Sequence, residues 1–162
     1  MAYENVNVSS LKNALSSCKS SLNCTTSKTL KTDAMNISIW YSESRSTFNK
    51  AVCRITDYYG ELESKIDHYL GLADKIQRYQ DLVAENASLR SEYASLEPKL
   101  YYEVRESYNE RWNEQEQRYD RDWRTVTKKD YNVESRMNAI TAQISANEGE
   151  MASLDSQIQG GL

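Results

Sequence analysis

The side chains that could support acid–base or metal chemistry are few and scattered in this sequence. His68 is the only histidine, so a cluster of imidazoles that acts as a general base or holds a metal ion cannot be assembled. Cys18, Cys24 and Cys53 lack the spacing of a metal-binding motif, and we expect them to be reduced thiols with a structural role. We therefore predict no metal site.

Paired acidic residues, such as Glu61 with Glu63 and Glu114 with Glu116, could in principle serve as the acid and base of a hydrolase. That chemistry needs a concave pocket that tunes the two pKa values, whereas neighbouring acids on a solvated helix are the ordinary outcome. The sequence also lacks a glycine-rich phosphate loop. We predict no catalytic residue and no cofactor, and expect a protein that is not an enzyme.

One stretch combines cations with aromatic rings, as in strips that stack on single-stranded nucleic acid. The stretch contains Arg118, Tyr119, Arg121, Trp123 and Arg124. Asp120 and Asp122 lie between these residues and would repel phosphate. The chain carries a formal net charge of -4 and a pI near 5.2, so we expect no nucleic-acid partner.

The elements that must position these side chains are indicated by apolar residues at alternating steps of four and three. One run contains Phe48, Val52, Ile55, Tyr59, Leu62, Ile66, Tyr69, Ala73 and Ile76, and a second contains Val133, Met137, Ile140, Ile144, Asn147, Met151, Leu154 and Ile158. This spacing keeps one stripe on the same face of a helix, where it packs against another helix. With one proline, five glycines and a mean hydropathy of -0.79, the composition favours long helices.

We predict an all-α fold of one elongated domain, residues 1–162. It is an antiparallel helical hairpin or coiled coil of long helices, with an N-terminal helix packed alongside. The helices are expected at 8–38, 43–94 and 96–158, the last with a possible break near 125–132. Between the second and third, Pro98 marks either a reversal of the chain or a kink.

Two surfaces are candidates for a partner interface. The first is the aromatic patch beyond Pro98, formed by Tyr101, Tyr102, Tyr108 and Trp112, because aromatic side chains favour interfaces. The second is the last apolar stripe, which contains Met137, Ile140, Ile144, Met151, Leu154 and Ile158. A second copy of the chain or another helical protein is expected to cover it.

The residues around Trp40-Tyr41-Ser42 resemble the WXG100-like family of helical-hairpin proteins associated with type VII secretion in Gram-positive bacteria. Trp40 stands at the Trp position of the family's Trp-x-Gly turn, Ser42 at the Gly position, and Phe48 at the first core aromatic of the second helix. Tyr93 and Glu97 match the family's Tyr-x-x-x-Asp/Glu export signal. The resemblance covers residues 11–100 and implies a helical secretion substrate or a partner of LXG-type toxins.

Two functions follow as expectations. The first is a non-enzymatic interaction protein of this secretion-associated kind, which binds another helical protein by coiled-coil packing. The alternative is a cytoplasmic or phage-type structural scaffold that homodimerises. The sequence shows no apolar run of about 18 residues and no cleavable signal peptide, so we expect no membrane insertion. The location is expected to be the cytoplasm, with export without a cleaved signal as the open alternative.

Overall fold

The computed structural model describes residues 3, 5–22, 33 and 43–161. Its elements, in chain order, are α1 (Val8–Leu22), α2 (Glu43–Leu96), a 3-10 turn (Glu97–Lys99), β1 (Tyr101–Asn113), β2 (Arg118–Lys129) and α3 (Tyr131–Gln159). The described residues fall into two compact units, one drawn from Met1–Asp81 with Ser153–Leu162 and the other from Leu82–Ala152.

The prediction of an all-α fold is wrong, because the structure contains a two-stranded antiparallel sheet. The long third helix expected at 96–158 is a β-hairpin over Tyr101–Lys129, and α3 begins only at Tyr131. The fold is therefore mixed, with long helices and one hairpin. Within the range 8–38 expected for the first helix, α1 spans Val8–Leu22. For the range 43–94 expected for the second helix, α2 runs from Glu43 to Leu96.

In the first unit, α1 lies antiparallel to the first part of α2. Lys12 pairs with Asp74 at 2.6 Å, and Lys19 pairs with Asp67, so a step of seven residues along α1 matches a step of seven back along α2. Equal steps of two helical turns hold one face of each helix against the other. The core of this unit contains Val8, Val52, Ile66, Leu72, Ala73 and Ile158.

The second unit holds the end of α2 against the start of α3. Arg136 donates two hydrogen bonds to the Glu92 carboxylate, at 2.6 and 2.9 Å, and Arg90 pairs with Glu148 at 2.9 Å. The later residue of α2 pairs with the earlier residue of α3, so the two helices are antiparallel. The buried apolar side chains of this helix pair are Leu82, Met137 and Ile140.

A polar pair lies inside that helical core. Asn86 and Asn147 are each 3% exposed, and the Asn147 amide donates to the Asn86 side-chain oxygen at 2.9 Å. A buried amide cannot bond to water, so leaving it without a protein partner destabilises the fold. The two residues therefore favour the one alignment of α2 and α3 that brings them together.

Pro98 ends α2 and does not kink it. The helix stops at Leu96, and Pro98 lies in the first positions of the 3-10 turn, where its missing N–H costs nothing. The chain then enters β1. At the other end of the hairpin, the Asp130 backbone N–H donates to the Leu100 carbonyl at 2.9 Å, which closes the hairpin at its base.

Asp130 begins α3 as its N-cap. Its carboxylate accepts hydrogen bonds from the backbone N–H groups of Asn132, at 2.9 Å, and Val133, at 3.2 Å. These are donors that the first turn of a helix leaves without an internal partner. The cap fixes the point at which strand gives way to helix.

Candidate interaction surface

The hairpin is a long ribbon with side chains displayed on both faces. The strands pair from Tyr101 opposite Lys129 to Asn113 opposite Arg118. Successive side chains of a strand point to opposite faces, so directly opposed residues share a face. We name the two sides of the ribbon the tryptophan face and the valine face, after the residues that lie at their centres.

The tryptophan face carries most of the exposed aromatic surface. It consists of Tyr101, Glu103, Arg105, Ser107, Glu110 and Trp112 from β1, with Tyr119, Arg121, Trp123, Thr125, Thr127 and Lys129 from β2. Trp112 and Tyr119 meet edge to face with ring centroids 5.0 Å apart, and the Arg105 guanidinium lies 5.1 Å from the Trp123 ring centroid. Contacts of these kinds contribute about 0.5–1.5 kcal/mol each.

The valine face is more strongly charged. It consists of Tyr102, Val104, Glu106, Tyr108, Arg111 and Asn113 from β1, with Arg118, Asp120, Asp122, Arg124, Val126 and Lys128 from β2. Val104 opposes Val126, and both are half-buried, while Arg124 lies over the Tyr108 ring at 5.8 Å. The valine pair is the only directly opposed pair of aliphatic side chains in the ribbon.

Ion pairs tie the strands together on both faces. Glu110 on β1 pairs with Arg121 on β2 at 2.5 Å, and Glu106 pairs with Lys128. The hydrogen bond from Lys128, followed by its positive charge, lowers the pKa of Glu106 from its ordinary value. The same contact raises the pKa of Lys128. These exposed pairs orient side chains more than they stabilise the fold, because water screens them.

Two asparagines shape the ribbon. Asn109 has a φ of 53° and stands unpaired between Tyr108 and Glu110, so it forms a β-bulge in β1. Asn113 begins the turn: its side-chain oxygen accepts hydrogen bonds from the backbone N–H groups of Gln115, at 3.1 Å, and Glu116, at 3.3 Å. Asparagine suits position 109 because it tolerates positive φ. It suits position 113 because its side chain can accept the hydrogen bonds of a turn.

The predicted aromatic patch lies on this ribbon. Tyr101, Tyr102, Tyr108 and Trp112 are 58%, 46%, 42% and 51% exposed. The structure places them on two faces, since Tyr101 and Trp112 lie on the tryptophan face and Tyr102 and Tyr108 on the valine face. Its role in binding remains a prediction.

The predicted helical stripe lies elsewhere and is largely covered by the chain itself. Met137, Ile140 and Ile158 are buried, and Ile144, Met151 and Leu154 are half-buried. Ile144 also borders a groove of about 400 Å³ between α2 and α3, together with Arg90, Tyr93 and Glu148. Little of this stripe is therefore free to meet a second protein in the described structure.

The residues that carry the family resemblance are only partly described. Trp40 and Ser42 lie outside the described residues, and Phe48 is an exposed residue of α2. Tyr93 is 36% exposed near the end of α2, and Glu97 is the first residue of the 3-10 turn. The turn motif and the export signal both remain predictions.

Among the described residues, the remaining candidates for chemistry do not converge on a site. His68 is exposed, and its Nε2 lies 2.8 Å from the Gly161 carbonyl oxygen. Across the ranges that the structure describes, no three histidine, cysteine or acidic side chains are grouped as metal ligands. Nor does any described helix combine the length and apolar character needed to cross a bilayer.

Sequence reasoning missed the pairing of Tyr119 and Trp123 with β1, because it placed both in the long helix expected at 96–158. The segment does contain β-branched residues that favour strands, such as Val104, Thr125 and Val126, and these could have indicated a sheet. No glycine or proline marks the turn between the strands, so the usual sign of a hairpin is absent.

Comparison with known proteins adds no relative to this description. No protein-family model, no curated protein sequence and no solved structure matches the chain.

Proposed function

We propose that this protein is a non-enzymatic interaction protein and that the hairpin, Tyr101–Lys129, is the surface that binds its partner. The observation that supports this most strongly is the exposure of large aromatic side chains on both faces of the ribbon. Tyr119 is 60% exposed and Trp123 is 48% exposed, in addition to the four residues of the aromatic patch. Exposed clusters of tyrosine, tryptophan and arginine are typical of binding surfaces.

The arrangement of charge fits recognition of a protein surface. Arginines lie over aromatic rings on each face, so the rings present a flat apolar area with a fixed cation beside it. Such residues supply much of the binding energy in protein interfaces when a partner excludes water from them.

A site-specific photo-crosslinker introduced at Trp112 in the producing cell tests this proposal. We expect a discrete crosslinked product from this position. Tyr58 on α2, which is 71% exposed, is the matched control position and should give none. Crosslinking at Tyr58 alone, or at both positions equally, would contradict the proposal.

We further propose, from the resemblance to the WXG100-like family, that the partner belongs to a type VII secretion pathway of a Gram-positive bacterium. The test is export of the chain into the medium. Tyr93→Ala or Glu97→Ala should abolish export if these residues act as the signal. Tyr59→Ala, which removes a tyrosine in the same spacing to Glu63, is the matched control and should leave export unchanged.

A structural scaffold that associates with itself is the second candidate function. The observation that favours it is the outer side of β2, which carries backbone donors and acceptors without a neighbouring strand in the described structure. Such an edge can pair with another strand.

A further inference from the structure

The two strands of the ribbon offer different edges. β1 is interrupted by the bulge at Asn109, which twists a strand and disturbs its hydrogen-bonding pattern. β2 runs from Arg118 to Lys129 without a bulge, a proline or a glycine. Because the sheet has only two strands in the part of the chain that the structure describes, one side of β2 is unpaired along its whole length. The β2 edge is therefore the better template for an additional strand.

A ribbon of two strands also gains from further strands. Two-stranded sheets are only marginally stable unless more strands or a helix cover them. In this ribbon only Val104, Glu106, Asn113, Val126 and Lys129 are half-buried, and the other strand residues are exposed. Pairing along β2 would extend both the tryptophan face and the valine face without breaking the ladder between β1 and β2.

The charges near the middle of β2 indicate what the added strand is. Asp122 and Arg124 flank Trp123, and all three lie in the unbroken part of the edge. Among the charged residues of β2, Asp122 is the one whose side chain makes no ion pair or hydrogen bond with the described residues. The others are paired: Arg118, Asp120, Arg121, Arg124, Lys128 and Lys129.

We propose that β2 pairs with β2 of a second copy, antiparallel and centred on Trp123, to form a four-stranded sheet across a twofold axis. In this register Trp123 opposes its own copy on the tryptophan face. Asp122 of each copy opposes Arg124 of the other on the valine face, so each of the two Asp122 carboxylates gains an arginine partner.

Charge excludes the neighbouring registers. An antiparallel pair centred on Arg121, Asp122 or Arg124 would place that charged residue against itself. Centring on Trp123 puts an uncharged ring on the axis and opposite charges beside it. Further out, Arg118 meets Lys128 of the other copy, but acids of its own copy already neutralise each: Glu116 and Asp120 for Arg118, and Glu106 for Lys128.

This inference rests on the proposal that the hairpin is the binding surface, and it commits the partner to a second copy. Sedimentation velocity of the purified full chain over a wide concentration range is the first measurement. We expect a reversible monomer–dimer equilibrium. A chain that stays monomeric throughout would overturn self-pairing, whereas the crosslinking test still decides whether the hairpin binds another protein.

Charge reversal then tests the register. Asp122→Arg and Arg124→Asp should each weaken the homodimer at least about tenfold, because each places like charges opposite one another twice. Glu103→Arg is the matched control: it reverses a charge that makes no ion pair with the described residues, but on β1, away from the new interface. It should dimerise as the unaltered chain does, and circular dichroism should show each variant folded.

Mixing the two weakened variants is the decisive step. The D122R chain presents two cations beside Trp123, and the R124D chain presents two anions at the same two positions. An equimolar mixture therefore restores opposite charges at both contacts and should form a heterodimer. The double variant D122R/R124D should recover the homodimer. A dimer that survives both single reversals, or variants that do not associate on mixing, would overturn the proposed register.

Discussion

The helical part of the second unit and its hairpin use large side chains in opposite ways. Between α2 and α3, Leu82 and Ile140 are no more than 1% exposed, and even the polar pair Asn86 and Asn147 is withdrawn from water. In the hairpin, by contrast, Trp123 is half exposed on a ribbon that has no covering layer among the described residues. The helices thus hold the unit together, and the hairpin presents surface. Buried packing and exposed aromatic surface therefore belong to different elements of the unit.

The largest expected effect comes from truncating the helical core. Ile140→Ala should lower the free energy of unfolding by about 2–5 kcal/mol, because it leaves a cavity where a buried side chain was packed. Trp123→Ala, its counterpart on the hairpin, should cost about 1 kcal/mol or less at low protein concentration. Urea unfolding followed by circular dichroism measures both. Equal losses would show that the hairpin belongs to the stabilising core.

A smaller effect is expected from the buried polar pair. Asn147→Ala leaves the Asn86 side-chain oxygen buried without its donor and should lower the free energy of unfolding by about 1–3 kcal/mol. Replacing both asparagines by leucine should be nearly neutral, since no polar group is then left unsatisfied. The double variant should instead lose its single alignment of α2 and α3, visible as additional amide peaks in NMR spectra. A double variant as destabilised as the single one would contradict a role in alignment.

The turn of the hairpin should respond more weakly. Gln117 adopts a φ of 47°, which costs an L-residue with a Cβ about 1 kcal/mol relative to glycine. Gln117→Gly should therefore slow hydrogen exchange of the ribbon amides and leave those of α3 unchanged. Asn109→Gly, at a φ of 53°, is the control. It should slow exchange of the ribbon amides less, because asparagine already tolerates this conformation. Slower exchange in the helices as well would show that ribbon and helices open together.

The smallest expected effect is that of acid on the hairpin. Since Lys128 lowers the pKa of Glu106 in the folded state, this contact stabilises the ribbon above the ordinary glutamate pKa. The stabilisation is lost as the pH falls through the lowered value, so in that acidic range the ribbon amides should exchange faster than intrinsic rates alone predict. Glu106→Gln, which cannot titrate, should lack this pH dependence. An unchanged profile in that variant would assign the effect to other acids.

Much of the helical part follows from the amino-acid sequence alone. The four-and-three spacing from Phe48 onward lies in α2, and the stripe from Val133 to Ile158 lies in α3 with its apolar residues turned inward. Even Asn147, a polar interruption of that stripe, is buried where the spacing places it. These features are local, because each helix carries its own hydrogen bonds and repeats its buried face every few residues.

The hairpin, by contrast, depends on contacts between distant parts of the chain. Trp112, Tyr119, Trp123 and Val126 follow the same four-and-three spacing as the helices, yet they belong to strands. A strand is held in place by hydrogen bonds to the strand opposite it, and the ladder joins residues as distant in the sequence as Tyr101 and Lys129. That pairing, with the bulge at Asn109 that it creates, is set by long-range contacts, which no local periodicity records.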